Sequence, residues 1–165
     1  MVRRFAQAAI LMAALALVIA AGATAAAGGN GTVTMTQIGH NDLLFSMPVV
    51  NPCTGQSGTL AAVSANDVFH VTYFTNGDEF WVTGTGEGTA TFTPDDPSGL
   101  ASSGHFAAWF GESSNNKNDV QHDTNTFQLI GTDGSRATVH ASDHLSTNAN
   151  GLVTVSFSDF KFSCG

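Results

Sequence analysis

Polar and apolar residues alternate with a period of two along most of the chain after residue 28. The clearest case is TGTGEGTATFTP at residues 83–94, where odd positions hold Thr or Glu and even positions hold Gly, Ala or Phe until Pro94. Such alternation is typical of β-strands, whose successive side chains point to opposite faces of a sheet. The stretch therefore predicts one long strand, and no segment after residue 28 shows a sustained helical period of 3.6 residues.

Three glycines, Gly84, Gly86 and Gly88, share one face of this predicted strand. They lack both the G-x-G-x-x-G spacing and the following lysine that phosphate-binding loops use, so we do not interpret them as a nucleotide site. Glycine inside a strand marks a bend or the close approach of another chain segment. We expect these glycines to face the interior of the domain and to set its free space.

Turn residues on either side of this strand predict two hairpins. Asn76-Gly77 is a typical two-residue hairpin turn, and it pairs Tyr73 with Phe80. A loop at residues 95–99 then pairs Gly88 with Phe106. Phenyl rings would lie over bare glycine backbone in this register, which is a known way to curve a sheet.

Two further hairpins follow in the C-terminal part of the chain. A turn around 133–135 pairs Leu129 with Val139, and the next turn places Ala141 beside Phe157. The whole pattern predicts an all-β, antiparallel fold of about eight strands in a mostly meander order, closed into a small barrel. A β-sandwich is the alternative architecture.

The first 27 residues have the organisation of a secretory signal peptide. Arg3 and Arg4 precede an apolar run that is short for a membrane span, and small residues near Ala27 provide cleavage sites. We therefore divide the chain into a signal peptide at 1–27 and a single secreted domain at 28–165. The domain is expected outside the cell, with no membrane association after cleavage.

The charge argues against one class of partner, and the cysteines indicate a disulfide. The formal net charge is −8, which disfavours binding to nucleic acid through its phosphates. Cys53 and Cys164 are the two cysteines of the chain, and an exported protein permits a disulfide. We predict a single bridge between them.

Four phrases of the sequence resemble known proteins: VNPCTG at 50–55, DVFHVT at 67–72, TGTGEGTATFTP at 83–94 and GHFAAWFGESSNN at 104–116. They are similar to a group of small secreted actinobacterial β proteins without an assigned activity. The resemblance implies an exported single-domain β protein and supplies no catalytic residues.

The predicted interior offers candidates for a ligand site. In a wide enough barrel, six phenylalanines would line a pocket for a small apolar molecule: Phe80, Phe92, Phe106, Phe110, Phe127 and Phe157. Asp143 lies among apolar neighbours on its strand, where a carboxylate needs a partner or contact with water. It is either a binding or catalytic carboxylate at the barrel mouth or a strand-end residue that reaches solvent.

Histidines and indoles gather on the opposite, threonine-rich face. His70, His105, Trp81 and Trp109 form either a platform for a carbohydrate or a partner, or an ordinary outer surface. Glu87 lies near His105, so this pair is a weak acid–base candidate.

We predict no metal site and no cofactor. His140 and His144 have the spacing of two metal ligands on a helix, but four residues of a strand span about 13 Å. That separation is too long for two side chains that must each lie about 2 Å from the same ion.

These patterns leave three functions open. The leading hypothesis is a secreted, non-catalytic binding protein for a small apolar ligand or a surface partner. The second is a cofactor-free cyclase or isomerase that uses Asp143 and a histidine inside a barrel. The third is a structural extracellular protein with a filled core.

Overall fold

The computed structural model describes residues 24–28, 31–74 and 79–165, the first of these ranges as backbone only. The described residues form nine β-strands and no helix. In chain order the strands are β1 Thr24–Gly28, β2 Thr32–Gly39, β3 Leu43–Val50, β4 Ser57–Phe74, β5 Glu79–Pro94, β6 Ser102–Ser114, β7 Asn118–Gly131, β8 Arg136–Asn148 and β9 Val153–Cys164. The prediction of an all-β domain is confirmed, and no helix in the described part of the chain could span a membrane.

All strand pairs are antiparallel, and the order is largely the predicted meander. The strands follow one another as β1-β2-β4-β5-β6-β7-β8-β9, while β3 pairs with the first half of β4 and β2 with its second half. The predicted closure into a barrel is not found, because among the described strands β9 pairs with β8 alone and the sheet remains open. Curvature brings the ends together without the backbone hydrogen bonds that closure requires.

The N-terminal strand overlaps the predicted signal peptide. β1 pairs with β2 from Thr24–Thr36 to Gly28–Thr32. Cleavage after Ala27 would remove all of β1 except Gly28, and residues 1–23 lie outside the described part of the chain. The sheet from β2 onward corresponds to the predicted domain at 28–165.

β5 is the long strand that the alternating pattern predicts. Its registers agree with prediction on both sides, because Tyr73 pairs with Phe80 and Gly88 pairs with Phe106. The predicted turn at Asn76-Gly77 lies outside the described residues. The face of β5 with Gly84 and Phe92 is the inner face of the sheet, and the threonine-rich face is the outer face.

The glycines of β5 meet neighbours other than the predicted phenyl rings. A Cβ atom on Gly84 would lie 2.5 Å from the ring of Phe69 on β4, so Phe69 covers this glycine. A Cβ atom on Gly88 would collide with the backbone of β4 at Val63 and Ala65. Here the β4–β5 register shifts between Ser64 and Asn66, and the bulge pushes the β4 backbone toward the glycine.

The registers of the last two hairpins differ from prediction. β7–β8 pairs Phe127 with Val139, a slip of two residues that keeps the predicted faces. β8–β9 pairs Ala141 with Phe160, a slip of three that turns Phe157 to the outer face. The bulge between Ser146 and Thr147 shifts the register by one further residue. The total slip is therefore odd, and the side chains of β9 change faces.

The core lies at one end of the inner face. Ala62, Ala90, Phe92, Phe106, Phe127 and Leu129 form its buried cluster. Phe45 of β3 packs edge-on against Phe127 of β7, with ring centroids 6.1 Å apart. The sheet therefore curls until β3 faces β7 across the core, although the two strands are not hydrogen-bonded neighbours.

The predicted disulfide is present between Cys53 and Cys164. It joins the segment after β3 to the last residue of β9, and the two Cα atoms are 5.6 Å apart. The bond ties together the two sides of the curled sheet at the core end. Such bonds are typical of oxidising compartments outside the cytosol.

Candidate functional site

The phenylalanines of the proposed pocket have separate places in the structure. Phe92, Phe106 and Phe127 are 2%, 1% and 8% exposed, and they fill the core with each other and with their neighbours. Phe80 and Phe110 lie on the inner face and are half-buried. Phe157 lies on the outer face and is 54% exposed. The six rings therefore do not surround one cavity.

Two depressions are lined by described residues, and no phenylalanine lines either of them. One, of about 360 Å³, lies beside the disulfide and is lined in part by Leu100 and Leu129. The other, of about 290 Å³, is lined mainly by outer-face residues, among them Thr85, Glu87 and Ala107. Neither depression is enclosed by phenyl rings.

Asp143 lies on the inner face, directly opposite Asp123 of β7. The histidines of the central sheet, such as His105 and His144, lie on the outer face. Asp143 and these histidines are therefore separated by the sheet, and the described residues do not form the predicted acid–base pair between them. The inner face carries a pair of carboxylates instead.

Three acidic side chains of the inner face have raised pKa values. Burial, and then the nearby Asp143 carboxylate, raises the pKa of Asp123. Burial and Asp119 raise the pKa of Glu112, and burial and Asp42 raise that of Asp67. Each group is thus easier to protonate in the folded protein than in the unfolded chain.

We expect Asp123→Asn to increase the free energy of unfolding at neutral pH. A carboxyl with a raised folded-state pKa stabilises the fold below its unfolded-state pKa, and this contribution is lost as pH rises through the folded-state pKa. The variant has no carboxyl at this position and avoids this loss. The difference in the free energy of unfolding between the variant and the wild type should therefore shrink as pH falls through the folded-state pKa of Asp123. Urea unfolding of both proteins across mildly acidic and neutral pH measures the effect.

Asp133→Asn is the matched control, and it should have the opposite sign. Ser135 donates hydrogen bonds to Asp133 and lowers its pKa, so ionised Asp133 stabilises the fold at neutral pH. This variant should be destabilised at neutral pH and equal to the wild type in acid. A loss of stability in Asp123→Asn at neutral pH would contradict the raised pKa that burial and Asp143 give to Asp123.

A row of rings crosses the outer face at right angles to the strands. The positions that pair in sequence from β4 to β9 are His70, Thr83, Gly111, His122, His144 and Phe157. The gap at Gly111 is covered by Trp109, whose indole would lie 2.8 Å from a Cβ atom built there. We call Trp109, His122, His144 and Phe157 the aromatic row.

Three rings of the aromatic row lie close together. The centroids of Trp109 and His122 are 5.3 Å apart, and those of His122 and His144 are 5.7 Å apart. Trp109 is 41% exposed and Phe157 is 54% exposed. These side chains form a band of accessible aromatic surface, a feature typical of binding sites.

A pair of hydroxyl groups lies beside the aromatic row. Thr124 and Ser142 lie beside it on β7 and β8, with their oxygens 3.4 Å apart. His70 continues the same cross-strand line, with its Nδ1 atom 2.9 Å from the hydroxyl of Thr36. The outer face thus combines apolar ring faces with donors and acceptors of hydrogen bonds.

The other outer-face candidates have looser arrangements. His105 Nε2 is 4.0 Å from Glu87 Oε2, and both side chains are exposed to solvent. His140 lies 3.1 Å from the hydroxyl of Thr126. His140 and His144 lie on the same strand, β8, as predicted. The described residues contain no group of three or more histidine, cysteine, aspartate or glutamate side chains that could hold a metal ion.

The sequence patterns missed the contact between His122 and His144. These residues lie in different strands, and the slipped register of β7–β8 brings them directly opposite each other. Trp109 and His122 are 13 positions apart in the chain and meet only through the β6–β7 pairing. The sequence alternation was enough to predict that these rings share the outer face. It was not enough to predict which rings are neighbours across the strands.

Comparison with known proteins gave no relative: no protein-family model, no curated protein and no solved structure matches the chain.

Proposed function

We propose that this protein is a secreted, non-catalytic binding protein that holds a neutral glycan on the aromatic row. The observation that carries the proposal is the line of accessible rings across the outer face. The core phenylalanines fill one end of the inner face, whereas the aromatic row crosses several strands on the outer face, where a ligand can reach it. The surface partner expected from the sequence would therefore be a carbohydrate chain.

The chemistry of a sugar suits this surface. One side of a pyranose ring presents C–H groups, which pack on the face of an indole or phenyl ring, while its hydroxyls exchange hydrogen bonds with polar neighbours. Trp109 and Phe157 offer the ring faces, and Thr124 and Ser142 offer hydroxyls. His122 and His144 can donate or accept a hydrogen bond in addition to stacking.

The dimensions and charge favour a short stretch of a neutral polysaccharide. From β6 to β9 the aromatic row spans three strand spacings, about 14 Å. That length accommodates a few linked sugar units lying across the strands. The acidic character of the chain, with a formal net charge of −8, disfavours an anionic glycan.

We expect Trp109→Ala to weaken binding of a neutral oligosaccharide by about tenfold or more, equivalent to roughly 1.4 kcal/mol. The variant removes the indole that covers Gly111 and its contact with His122. A panel of soluble neutral oligosaccharides, screened by titration calorimetry, identifies the ligand for the comparison. Far-ultraviolet circular dichroism confirms that the variant remains folded.

Ile130→Ala provides the matched control for loss of apolar surface. Ile130 is 53% exposed on the outer face of β7, but it lies near the core end of the sheet and away from the aromatic row. Its replacement should leave the affinity unchanged. The proposal is wrong if no neutral glycan binds, or if Trp109→Ala binds as tightly as the wild type.

A further inference from the structure

The last strand of the sheet has an unpaired edge. β9 is hydrogen-bonded to β8 on one side and to no described strand on the other. Phe160 and Phe162 are 56% and 53% exposed on its inner face, and Val155 and Phe157 are exposed on its outer face. A long edge with apolar side chains on both faces is a template for pairing with another chain.

The hydrogen-bond pattern shows which backbone groups are available on this edge. Arg136 and Gly165 exchange two backbone hydrogen bonds, and the β8–β9 register then continues without a shift as far as Val155. In an antiparallel pair such positions alternate with residues whose N–H and C=O groups point away. The backbone groups of Phe160 and Phe162 therefore point to the open edge.

We propose that the protein forms a symmetric homodimer in which β9 pairs antiparallel with β9 of a second copy, about a two-fold axis at Phe160. The axis would be perpendicular to the sheet, so that inner faces join inner faces. Phe160 then meets its own copy as a hydrogen-bonded pair, which agrees with the outward direction of its backbone groups. The proposal is independent of the glycan function.

Charge complementarity selects this register. Asp159 and Lys161 lie on the outer face of β9 and form an ion pair within the strand, with 2.5 Å between Nζ and Oδ2. An axis at Phe160 places Asp159 opposite Lys161 of the second copy, and Lys161 opposite Asp159. Moving the axis by one residue would place either two aspartates or two lysines directly opposite each other, which is unfavourable.

Apolar contacts favour the same arrangement. Pairing at Phe160 brings the rings of Phe160 and Phe162 from both copies together on the inner face, where they are exposed in the single chain. β3 is a poorer docking edge because Pro48 lies within it and proline cannot donate a backbone hydrogen bond. A second copy at β9 therefore covers the exposed rings and completes the backbone hydrogen bonding of the edge.

The aromatic row remains open in this dimer. Trp109, His122 and His144 lie on the outer face of β6, β7 and β8, at least one strand away from the paired edge. Phe157 lies on β9 itself, but its ring stays on the outer face of the joined sheet, because inner faces join inner faces. A monomeric variant would therefore keep its glycan site. Oligomeric state and glycan affinity can be measured separately, so failure of one proposal is distinguishable from failure of the other.

Charge reversal and mixing test the register. Analytical ultracentrifugation should show a wild-type dimer, while Lys161→Asp and Asp159→Lys should each raise the dimer dissociation constant roughly tenfold or more. An equimolar mixture of the two variants should dimerise again, because each supplies the charges that the other lacks. Lys117→Asp, the same charge change in an exposed turn, should dimerise as the wild type does.

Three outcomes would overturn the proposal. The first is a wild-type protein that stays monomeric at millimolar concentration. The second is a dimer unaffected by either charge reversal, and the third is a mixture of folded variants that remains monomeric. Circular dichroism of each variant separates loss of pairing from loss of folding.

Discussion

Replacing Cys53 and Cys164 together by serine is expected to lower the free energy of unfolding by about 4–5 kcal/mol. The two cysteines are 111 positions apart, so the bond constrains most of the unfolded chain. It also holds the segment after β3 against β9, where the open sheet supplies no backbone pairing. We expect the largest loss of stability from this change.

Urea unfolding of the oxidised wild type and the double serine variant measures the difference. Reducing the wild type should reproduce the stability of the variant, which controls for any effect of the serine side chains. A difference below about 1 kcal/mol would show that the unfolded chain is already compact or that the bond strains the fold.

Gly88→Val is expected to lower the free energy of unfolding by about 3 kcal/mol, near the upper end for an overpacked site. A Cβ atom at this position would collide with the backbone of β4, including the amide nitrogen of Ala65 at 2.6 Å. Backbone atoms at a bulge cannot move aside as a flexible side chain can. Thermal or urea unfolding gives the measurement.

Gly86→Ala is the control for this change, two positions earlier on the same face of β5. A Cβ atom there would lie 3.4 Å from Leu44 Cδ1 and 3.7 Å from Asp67 Cβ, both close to ordinary contact distances. The alanine should change stability by less than about 0.5 kcal/mol, as for changes without a specific clash. Equal destabilisation by the two substitutions would contradict the prediction, because it would mean that the bulged backbone of β4 is not the cause of the clash at position 88.

Because the core is filled, we place the proposed binding site on the outer face. Phe106 is 1% exposed between neighbouring strands, so the glycines of β5 do not leave a lumen beside it. The remaining accessible rings lie on the outer face and on β9. These two surfaces have different chemistry, which is why we assign a glycan to one and a second copy of the chain to the other.

The alternating pattern was sufficient to predict the strands and several of their contacts. In β5, the Thr/Gly alternation predicted an unbroken strand, and its pairing with β6 was correct residue by residue. Side chains that alternate between a buried and an exposed face strongly constrain register, because a slip by one residue exposes the apolar set. The disulfide followed from the presence of two cysteines in a chain with a predicted signal peptide.

The register of β8–β9 was not predictable in the same way. Asn148 accepts hydrogen bonds at the turn, from the backbone N–H groups of Asn150 and Leu152, and a bulge follows at Ser146–Thr147. Polar and apolar residues occur on both faces of β9, so no burial pattern penalises a slip. Phe157 was consequently assigned to the wrong face.

The sequence by itself determined the strands, most of the meander order and the pairing of the two cysteines, because each depends on local alternation, turn residues or composition. Tertiary structure decided that the sheet stays open, that the bulged backbone of β4 lies against Gly88, and that His122 lies opposite His144. Closure depends on twist and curvature summed over all the strands, and cross-strand neighbours depend on the turns and bulges that set each register. Neither quantity is encoded in any single short segment, so only the folded sheet shows the aromatic row and the unpaired edge of β9.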